Sequence, residues 1–406
     1  MRVLLAGAGG REHALARTFV RSPLLTELHA APGNPGIARV GRCHPIRADD
    51  VDGLVELALA HRIDLAVIGP EAPLVAGAAD ALRHAGVPVL GPSAAAARIE
   101  GSKAFAKDVM RAAGVPMARE LSEPVAPCVI KADGLAAGKG VFVCQTQPEV
   151  DDALPKARVF GETLVIEELL VGPEASVFVL TDGERCVTLP AAQDYKRIGD
   201  GDTGPNTGGM GAYSPVPALP DAVVSDIVEQ VHRPVLAELA NRRAPFIGVL
   251  YAGLMLTTSG PKVLEFNCRL GDPETQVVLP RLSTDFLALA HAAATGALDA
   301  TEVDVLPDCA VTVVLASRGY PESSEVGVEI SGLADAESDG TVVFHAGTAQ
   351  RDGSLLSAGG RVLNVTALGP TMAAARDKAY GAIERIHFPG AQYRRDIALR
   401  AVSTSE

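Results

Sequence analysis

Tryptophan is absent from the 406 residues, and aromatic residues together make up only 4%. A core built on large aromatic anchors is thereby excluded, and Ala, Val, Leu and Ile must fill the interior, as they do in parallel sheets covered by helices. Positive charge is also in short supply. Lys+Arg number 36 against 49 Asp+Glu, a net charge of −13 that excludes the basic footprint of a nucleic-acid binder. The six cysteines (Cys43, Cys128, Cys144, Cys186, Cys268, Cys309) are widely spaced, with no Cys-x-x-Cys pair and no run of histidines. That pattern argues against a zinc knuckle or a disulfide scaffold and fits a reducing cytosol. No apolar run reaches the roughly 18 residues of a membrane span, and the apolar stretch after Met1-Arg2 is too short for a secretory core, so a cytoplasmic protein without membrane contact is expected.

Apolar residues at 48% and charged residues at 21% describe an ordinary globular chain. Domains cluster at roughly 100 to 150 residues, so two to four packed units are expected. The run 3–6 meets the turn Gly7-Ala8-Gly9-Gly10 and passes into a helical pattern, a strand-turn-helix unit. Apolar runs at 65–68 and 87–90, each followed by Gly-Pro, extend it into an open parallel sheet. Ser93 reads as the cap of a helical segment running through Lys103 to residue 113. Residues 128–190 read as short strands around glycine turns, 193–215 as one long loop, 247–257 with 262–267 as a hairpin, and 284–298 as a helix. Strands at 311–316, 342–345 and 361–365 with a helix at 372–386 suggest a terminal α+β unit.

Four segments carry chemistry. Gly7 to His13 opens a helix after a strand, where backbone N–H groups can hold a phosphate. A purely structural turn is the competing reading. A dinucleotide site fails, because Glu12 stands where the third glycine is needed and no ribose-binding acid ends the next strand. Lys131-Ala-Asp133-Gly134 through Gly138-Lys139-Gly140 joins a strand lysine to one in a glycine-rich turn, a pairing suited to triphosphate oxygens, though not a Walker A loop. Solvated lysines on a hairpin are the alternative. Glu265 and Asn267 share one face of an alternating strand, and two oxygen donors so placed suit Mg²⁺ held jointly with a nucleotide. Arg269-Leu270-Gly271-Asp272-Pro273-Glu274 follows at once with a phosphate-capable guanidinium and two carboxylates. Glu167-Glu168 and Glu174 bracket Gly172-Pro173, where a linker can meet an adenine and a ribose; solvated acids at a strand end are the plainer reading.

Taken in order, Gly9-Gly10-Arg11-Glu12-His13, Ala31-Pro32-Gly33-Asn34, Gly69-Pro70-Glu71-Ala72-Pro73-Leu74, Gly101-Ser102-Lys103-Ala104-Phe105, residues 131–140, 199–215 and 269–276 resemble the phosphoribosylamine-glycine ligase family of the ATP-grasp superfamily, nearly end to end. The resemblance implies an N-terminal α/β domain (1–100) with an open parallel sheet, an ATP-grasp domain (101–305) with a small, mostly β lid near 115–185, and a C-terminal α+β domain (306–406). It implies Lys103, Lys131 and Lys139 on ATP phosphates, Glu167, Glu168 and Leu170 at the adenine, Glu174 at the ribose, and Glu265 with Asn267 on Mg²⁺ or Mn²⁺. Gly10, Arg11, Glu12, Asn34, Glu71, Asp133, Asp194, Arg269, Gly271 and Asp272 would gather around glycine and 5-phosphoribosylamine, with Arg269, Asp272 and Lys131 closest to the chemistry. The implied reaction joins glycine to 5-phosphoribosylamine at the expense of ATP, through a glycyl phosphate, in purine biosynthesis. A monomer is expected.

Another ATP-grasp carboxylate-amine ligase is the nearest rival, and a non-catalytic nucleotide-binding protein a more distant one that has no need of the metal pair. Ala8 stands where the family commonly has Asn, Tyr195 where it usually has His, and the stretches 120–127 and 147–161 look short for the lid.

Overall fold

The computed structural model describes residues 1–135, 140–337 and 340–405, so Lys139 lies outside the described residues. The first sheet is parallel, with strands in the order Arg42–Cys43, Glu27–Pro32, Arg2–Gly7, Leu65–Ile68, Val89–Leu90. Its inner strands are continuous apolar runs because helices cover both faces. Gly10–Phe19, Val51–Ala60 and Ala78–His84 do the covering.

The expected single helix after Ser93 is two, Ala94–Gly101 and Lys103–Ala112. Ser102 breaks the run in extended conformation, and its side chain accepts from Phe105 N to cap the second helix. That helix ends at Gly114 (φ +66°), where Val115 N reaches back to Met110 O, a Schellman closure that glycine makes cheap.

A small antiparallel sheet, Val141–Cys144, Cys128–Ala132, Leu164–Glu168, carries the helix Gln147–Arg158 on a core of its own. The expected strands are there, and the helix, which starts with a Thr146–Glu149 capping box, adds to them.

The largest sheet has eight antiparallel strands in the order Gly260–Asn267, Gly248–Thr257, Glu174–Thr181, Cys186–Asp194, Gly211–Ser214, Cys309–Ala316, Arg361–Gly369, Val342–His345. It runs unbroken across the 305/306 boundary expected between two domains. The region 193–215, expected as loop, contributes a central strand and a two-stranded ribbon, Arg197–Gly199 with Thr203–Asn206. The terminal unit also carries the strands Glu329–Ile330, Thr348–Arg351 and Ser354–Ser357 and the helix Leu399–Ser405. Among the described residues no helix is long and apolar enough to cross a membrane.

Two side-chain contacts fix how these parts meet. Phe19 of the first helix stacks on Phe286 of Phe286–Ala294, centroids 6.4 Å apart and planes 5° from parallel. Both rings are fully buried. Arg394, also fully buried, pairs with Asp396 at 2.6 Å and Asp202 at 2.9 Å and lies over the Tyr195 ring, tying the C-terminal segment to the 197–206 ribbon. Burial alone would raise the Asp396 carboxyl, but the Arg394 bonds outweigh it and hold it down at about 2.

Phe286→Ala is expected to lower stability by about 3–5 kcal/mol, because a buried ring is removed from a contact between elements far apart in sequence. Denaturant midpoints of the two proteins check this. For Asp396 the depressed folded value means its contribution is complete above the unfolded carboxylate range, near pH 4, and is lost as pH falls toward about 2. Asp396→Asn should therefore flatten the pH dependence of the thermal midpoint across that acid window and leave its slope near neutrality unchanged.

Candidate active site

Between the parallel sheet, the small sheet and the eight-stranded sheet lies a cleft of about 660 Å³, a size that suits a nucleotide with a small partner. Charged groups of both signs line it.

At one end Glu167, 2% exposed, stands between two lysines. Its Oε1 is 2.5 Å from Lys107 Nζ and its Oε2 2.7 Å from Lys131 Nζ. Lys131 also donates to Leu264 O at 2.9 Å, which ties the small sheet to the strand carrying Glu265. Burial lowers the Lys107 ammonium below the ordinary lysine value, with Glu167 acting against it. Glu167, expected at the adenine, is thus the counter-ion of a buried lysine pair, and Lys107 was not foreseen. Glu168, paired with Lys262 at 3.1 Å, lines the cleft as well. Leu170 lines the cleft.

Lys103 opens the helix Lys103–Ala112 and donates through Nζ to Gly134 O at 2.9 Å. Burial lowers its ammonium as well, against the pull of Glu265. Asp133, expected at the substrate, is taken up elsewhere. Its Oδ1 accepts from Lys103 N at 2.6 Å and Ala104 N at 3.2 Å, and its Oδ2 from Ser102 Oγ at 3.1 Å, so it caps that helix behind the cleft wall.

In the middle of the cleft Lys196 Nζ lies 2.8 Å from Glu174 Oε2 and 3.7 Å from Glu265 Oε1. Asp194, two residues back, is pushed up to about 8 by burial and by Glu274, Glu174 and Glu265, with Lys196 acting against them. Glu265 faces the cleft and Asn267 is buried beside it. Carboxylates outnumber the one ammonium, and every donor on this strand face is oxygen, the set that hard divalent cations take. The residues present therefore fit a magnesium-like ion.

At the other end Arg269 Nη2 is 2.6 Å from Glu100 Oε1 and its Nε 3.2 Å from Glu71 Oε2. Burial alone would raise Glu71, but Arg269 and Arg11 hold it below its ordinary value. For Glu100 burial prevails over Arg269 and its carboxyl is raised. Asp272 Oδ2 lies 3.5 Å from Arg361 Nη2, its Oδ1 accepts from Gln276 at 2.8 Å, and Arg11 adds a backbone bond. Despite burial, Arg361 and Arg11 lower the Asp272 carboxyl. Arg361 comes from the C-terminal strand Arg361–Gly369, so three distant stretches of chain meet at Asp272. Glu274, fully enclosed, accepts from Tyr251 Oη at 2.8 Å, whose own oxygen accepts from Ser176.

Gly10, Glu12, Asn34 and Gly271 stand behind this end, outside the cleft wall. Glu12 holds Gly9 N at 2.6 Å and Arg11 Nε at 2.6 Å. Asn34 donates to Ala8 O at 2.8 Å and His345 O at 2.9 Å and accepts from Ile37 N. Gly10 packs so tightly on Asn364 and Gln276 that a methyl group would collide. These residues, expected to touch substrate, shape the loop behind Arg11. Tyr195 turns its hydroxyl to accept from Ala398 N at 3.0 Å. Lys107, Lys196, Glu100 and Arg361 escaped the sequence reading because their partners lie across the fold; only the short spacing of Lys196 from Asp194 hints at a shared site.

Glu167→Gln is expected to cost about 3–5 kcal/mol of stability, because two buried ammonium groups lose their counter-ion. Lys107→Met should cost less, since Glu167 then keeps Lys131. Chemical unfolding of the two variants gives the comparison, and equal losses would contradict the bridging role.

Family models agree with the three-part architecture. Residues 1–100 match the N domain of phosphoribosylglycinamide synthetase, 101–275 its ATP-grasp (A) domain, and 310–400 its C domain. The chain is 51% identical over 419 residues to a phosphoribosylamine-glycine ligase of Streptomyces coelicolor and 48% over 420 residues to one of Rhizobium meliloti, covering 99% of both partners in each case. The crystal structure of a phosphoribosylamine-glycine ligase from Thermotoga maritima superposes with a TM-score of 0.84 at 35% identity, over 98% of this chain and 100% of that one. A biotin carboxylase from Campylobacter jejuni, at 13% identity and a TM-score of 0.72 over 97% of this chain and 92% of its own, shares the fold alone. With all three domain models matched in order along nearly its whole length, the chain belongs to the phosphoribosylglycinamide synthetase family.

Proposed function

We propose that the cleft joins glycine to 5-phosphoribosylamine with ATP, giving glycinamide ribonucleotide, ADP and phosphate. The chain is an ATP-dependent carbon–nitrogen ligase of purine biosynthesis, and its family uses a divalent metal. The observation that carries the residue-level reading is the single cleft lined by Lys103 and Lys131 at one end and by the Arg269–Asp272 cluster at the other.

A carboxylate is a poor electrophile, so its oxygen first attacks the γ-phosphorus of ATP. The bridging P–O bond breaks, ADP departs, and glycyl phosphate remains. The amine nitrogen of phosphoribosylamine then attacks the carbonyl carbon; the C–O bond to phosphate breaks and the amine gives up a proton. Neither step needs a covalent bond to the protein, and none of the pairings of Ser or Cys with His that would supply one lines the cleft among the described residues.

Lys103 and Lys131 are the cations placed for the β- and γ-phosphates, pre-set by Gly134 O, Leu264 O and Glu167 so that little reorganisation is needed as charge shifts. Lys139 joins them by resemblance. Leu170 and the neighbouring backbone would take the adenine and Glu174 the ribose. Glu265 and Asn267 would hold the metal, Mg²⁺ or Mn²⁺, which on binding neutralises phosphate charge. Arg269, fixed by Glu71 and Glu100, would orient the phosphorylated acid, and Arg11, Arg361 and Asp272 the ribosyl amine. The domain limits 1–100, 101–305 and 306–406, with a lid near 115–185, remain our reading, as do a monomeric state and a cytoplasmic location.

The first test is ADP release with ATP, Mg²⁺ and glycine, with and without freshly made phosphoribosylamine, while the amide product is followed. ADP and glycinamide ribonucleotide should appear in equal amounts only with every substrate present; equal rates with another acid or amine would favour the rival ligase. Lys131→Ala and Glu265→Ala should each lower kcat by about 10²–10³-fold with the fold retained. Arg269→Ala should raise the KM for phosphoribosylamine or glycine, and a rise confined to ATP would remove Arg269 from the substrate side.

A further inference from the structure

Three histidines unused by the cleft converge at the edge of the parallel sheet. His29 lies on the strand Glu27–Pro32, His44 follows the edge strand Arg42–Cys43, and His61 closes the helix Val51–Ala60. They are 15 and 17 positions apart in sequence, which is why no histidine cluster is visible there. In space their centroids are 4.4–5.2 Å apart, and one ring nitrogen from each lies within 4.8 Å of the others.

We propose that His29, His44 and His61 form a binding site for a nitrogen-preferring divalent transition metal, of which Zn²⁺ is the commonest, separate from the nucleotide cleft. Four observations carry it. His29 Nδ1 is 3.0 Å from His44 Nε2. Two Zn–N bonds of about 2.0–2.1 Å meeting at a tetrahedral angle put their nitrogens about 3.3 Å apart, so this pair already has the spacing of a shared ion, and His61 needs a shift of about 1.5 Å at most.

Second, His29 Nε2 lies 3.2 Å from Glu27 Oε2. A proton held there leaves Nδ1 bare and turned toward His44, the carboxylate–histidine arrangement that orients imidazole ligands on metals. Third, the backbone is already fixed. His44 N donates to Ala30 O at 2.8 Å and His61 N to Leu57 O at 3.1 Å, so only side-chain torsions have to change. Fourth, His61 caps a ten-residue helix at its C-terminal end, where the unpaired carbonyls favour a cation.

His29 is buried while His44 and His61 are half exposed, which gives an entry path and leaves a fourth position to water. All-nitrogen donors separate this site from Glu265 and Asn267, whose oxygens prefer Mg²⁺. Bound metal would pin the two-residue edge strand to the helix end beside it.

The test uses the full-length protein, stripped with chelator and held in saturating Mg²⁺ and ADP to fill the cleft. Titration with Co²⁺ should give one equivalent with the visible bands of a four-coordinate nitrogen site, and Zn²⁺ should bleach them. His44→Gln and His61→Asn should each abolish the bands while leaving the thermal midpoint of the metal-free protein unchanged, since both side chains are half exposed. Glu27→Gln should weaken binding about 10- to 100-fold. Glu265→Gln should leave the titration as it is. Absence of the bands, their survival in both histidine variants, or their loss in Glu265→Gln would each overturn the proposal.

Discussion

The pairing of Arg269 with Glu71 and Glu100 is the constraint on which the cleft depends. Glu71 opens a helix off the parallel sheet, Glu100 sits near the end of the alanine-rich helix that leads away from it, and Arg269 follows the outer strand of the eight-stranded sheet. One planar guanidinium therefore sets the position of three elements at once, with a geometry that lysine cannot reproduce. Burying such a group is expensive unless its hydrogen bonds are satisfied, and here two carboxylates and the Leu270 carbonyl take them up. Misplacing any of the three elements would leave charge unpaired in the interior.

The same logic of paired burial runs down the cleft. Glu167 bridges Lys107 and Lys131, Lys196 bridges Glu174 and Glu265, and Asp272 sits between Arg11 and Arg361. Each polar side chain is held by a neighbour of opposite sign, so the groups facing the open space are oriented before any ligand enters. Such pre-orientation is what phosphoryl transfer requires of a protein, since the reaction itself is mostly positioning and charge compensation. Unlike the chain as a whole, with its net charge of −13, the cleft is lined by basic and acidic side chains in nearly equal number.

Local patterns in the chain reveal local structure well. The strand-turn-helix at Gly7, the apolar runs at 65–68 and 87–90 and the hairpin carrying Glu265 and Asn267 are all readable, because each depends on neighbours within a few residues. The break at Ser102 is not, since alanine-rich sequence on both sides continues the helical period and the deciding partner, Asp133, is about 30 residues away. The strand Gly211–Ser214 was hidden for a related reason. Its glycine-rich surroundings show no alternation, and its ladder comes from Cys309–Ala316, far along the chain. Resemblance to a family's motifs assigns Glu167 and Asp133 to ligands; what local sequence does not show is that Glu167, at the cleft wall, pairs with Lys107 and Lys131 and that Asp133 caps the helix Lys103–Ala112. Glu100, Lys107 and Arg361 carry no local signature at all.

The eight-stranded sheet also bears on how the chain is made. Its fifth strand, Gly211–Ser214, pairs on one side with Cys186–Asp194 and on the other with Cys309–Ala316, which in turn waits for Arg361–Gly369. During synthesis the parallel sheet of the first hundred residues can close behind the ribosome, but the central sheet presents a bare edge at Gly211–Ser214 until some hundred further residues have emerged. Pairings this distant in sequence form slowly and leave open strand edges exposed to association in the meantime. The feature that unites the finished molecule is thus the one that makes its nascent form most dependent on the rest of the chain arriving.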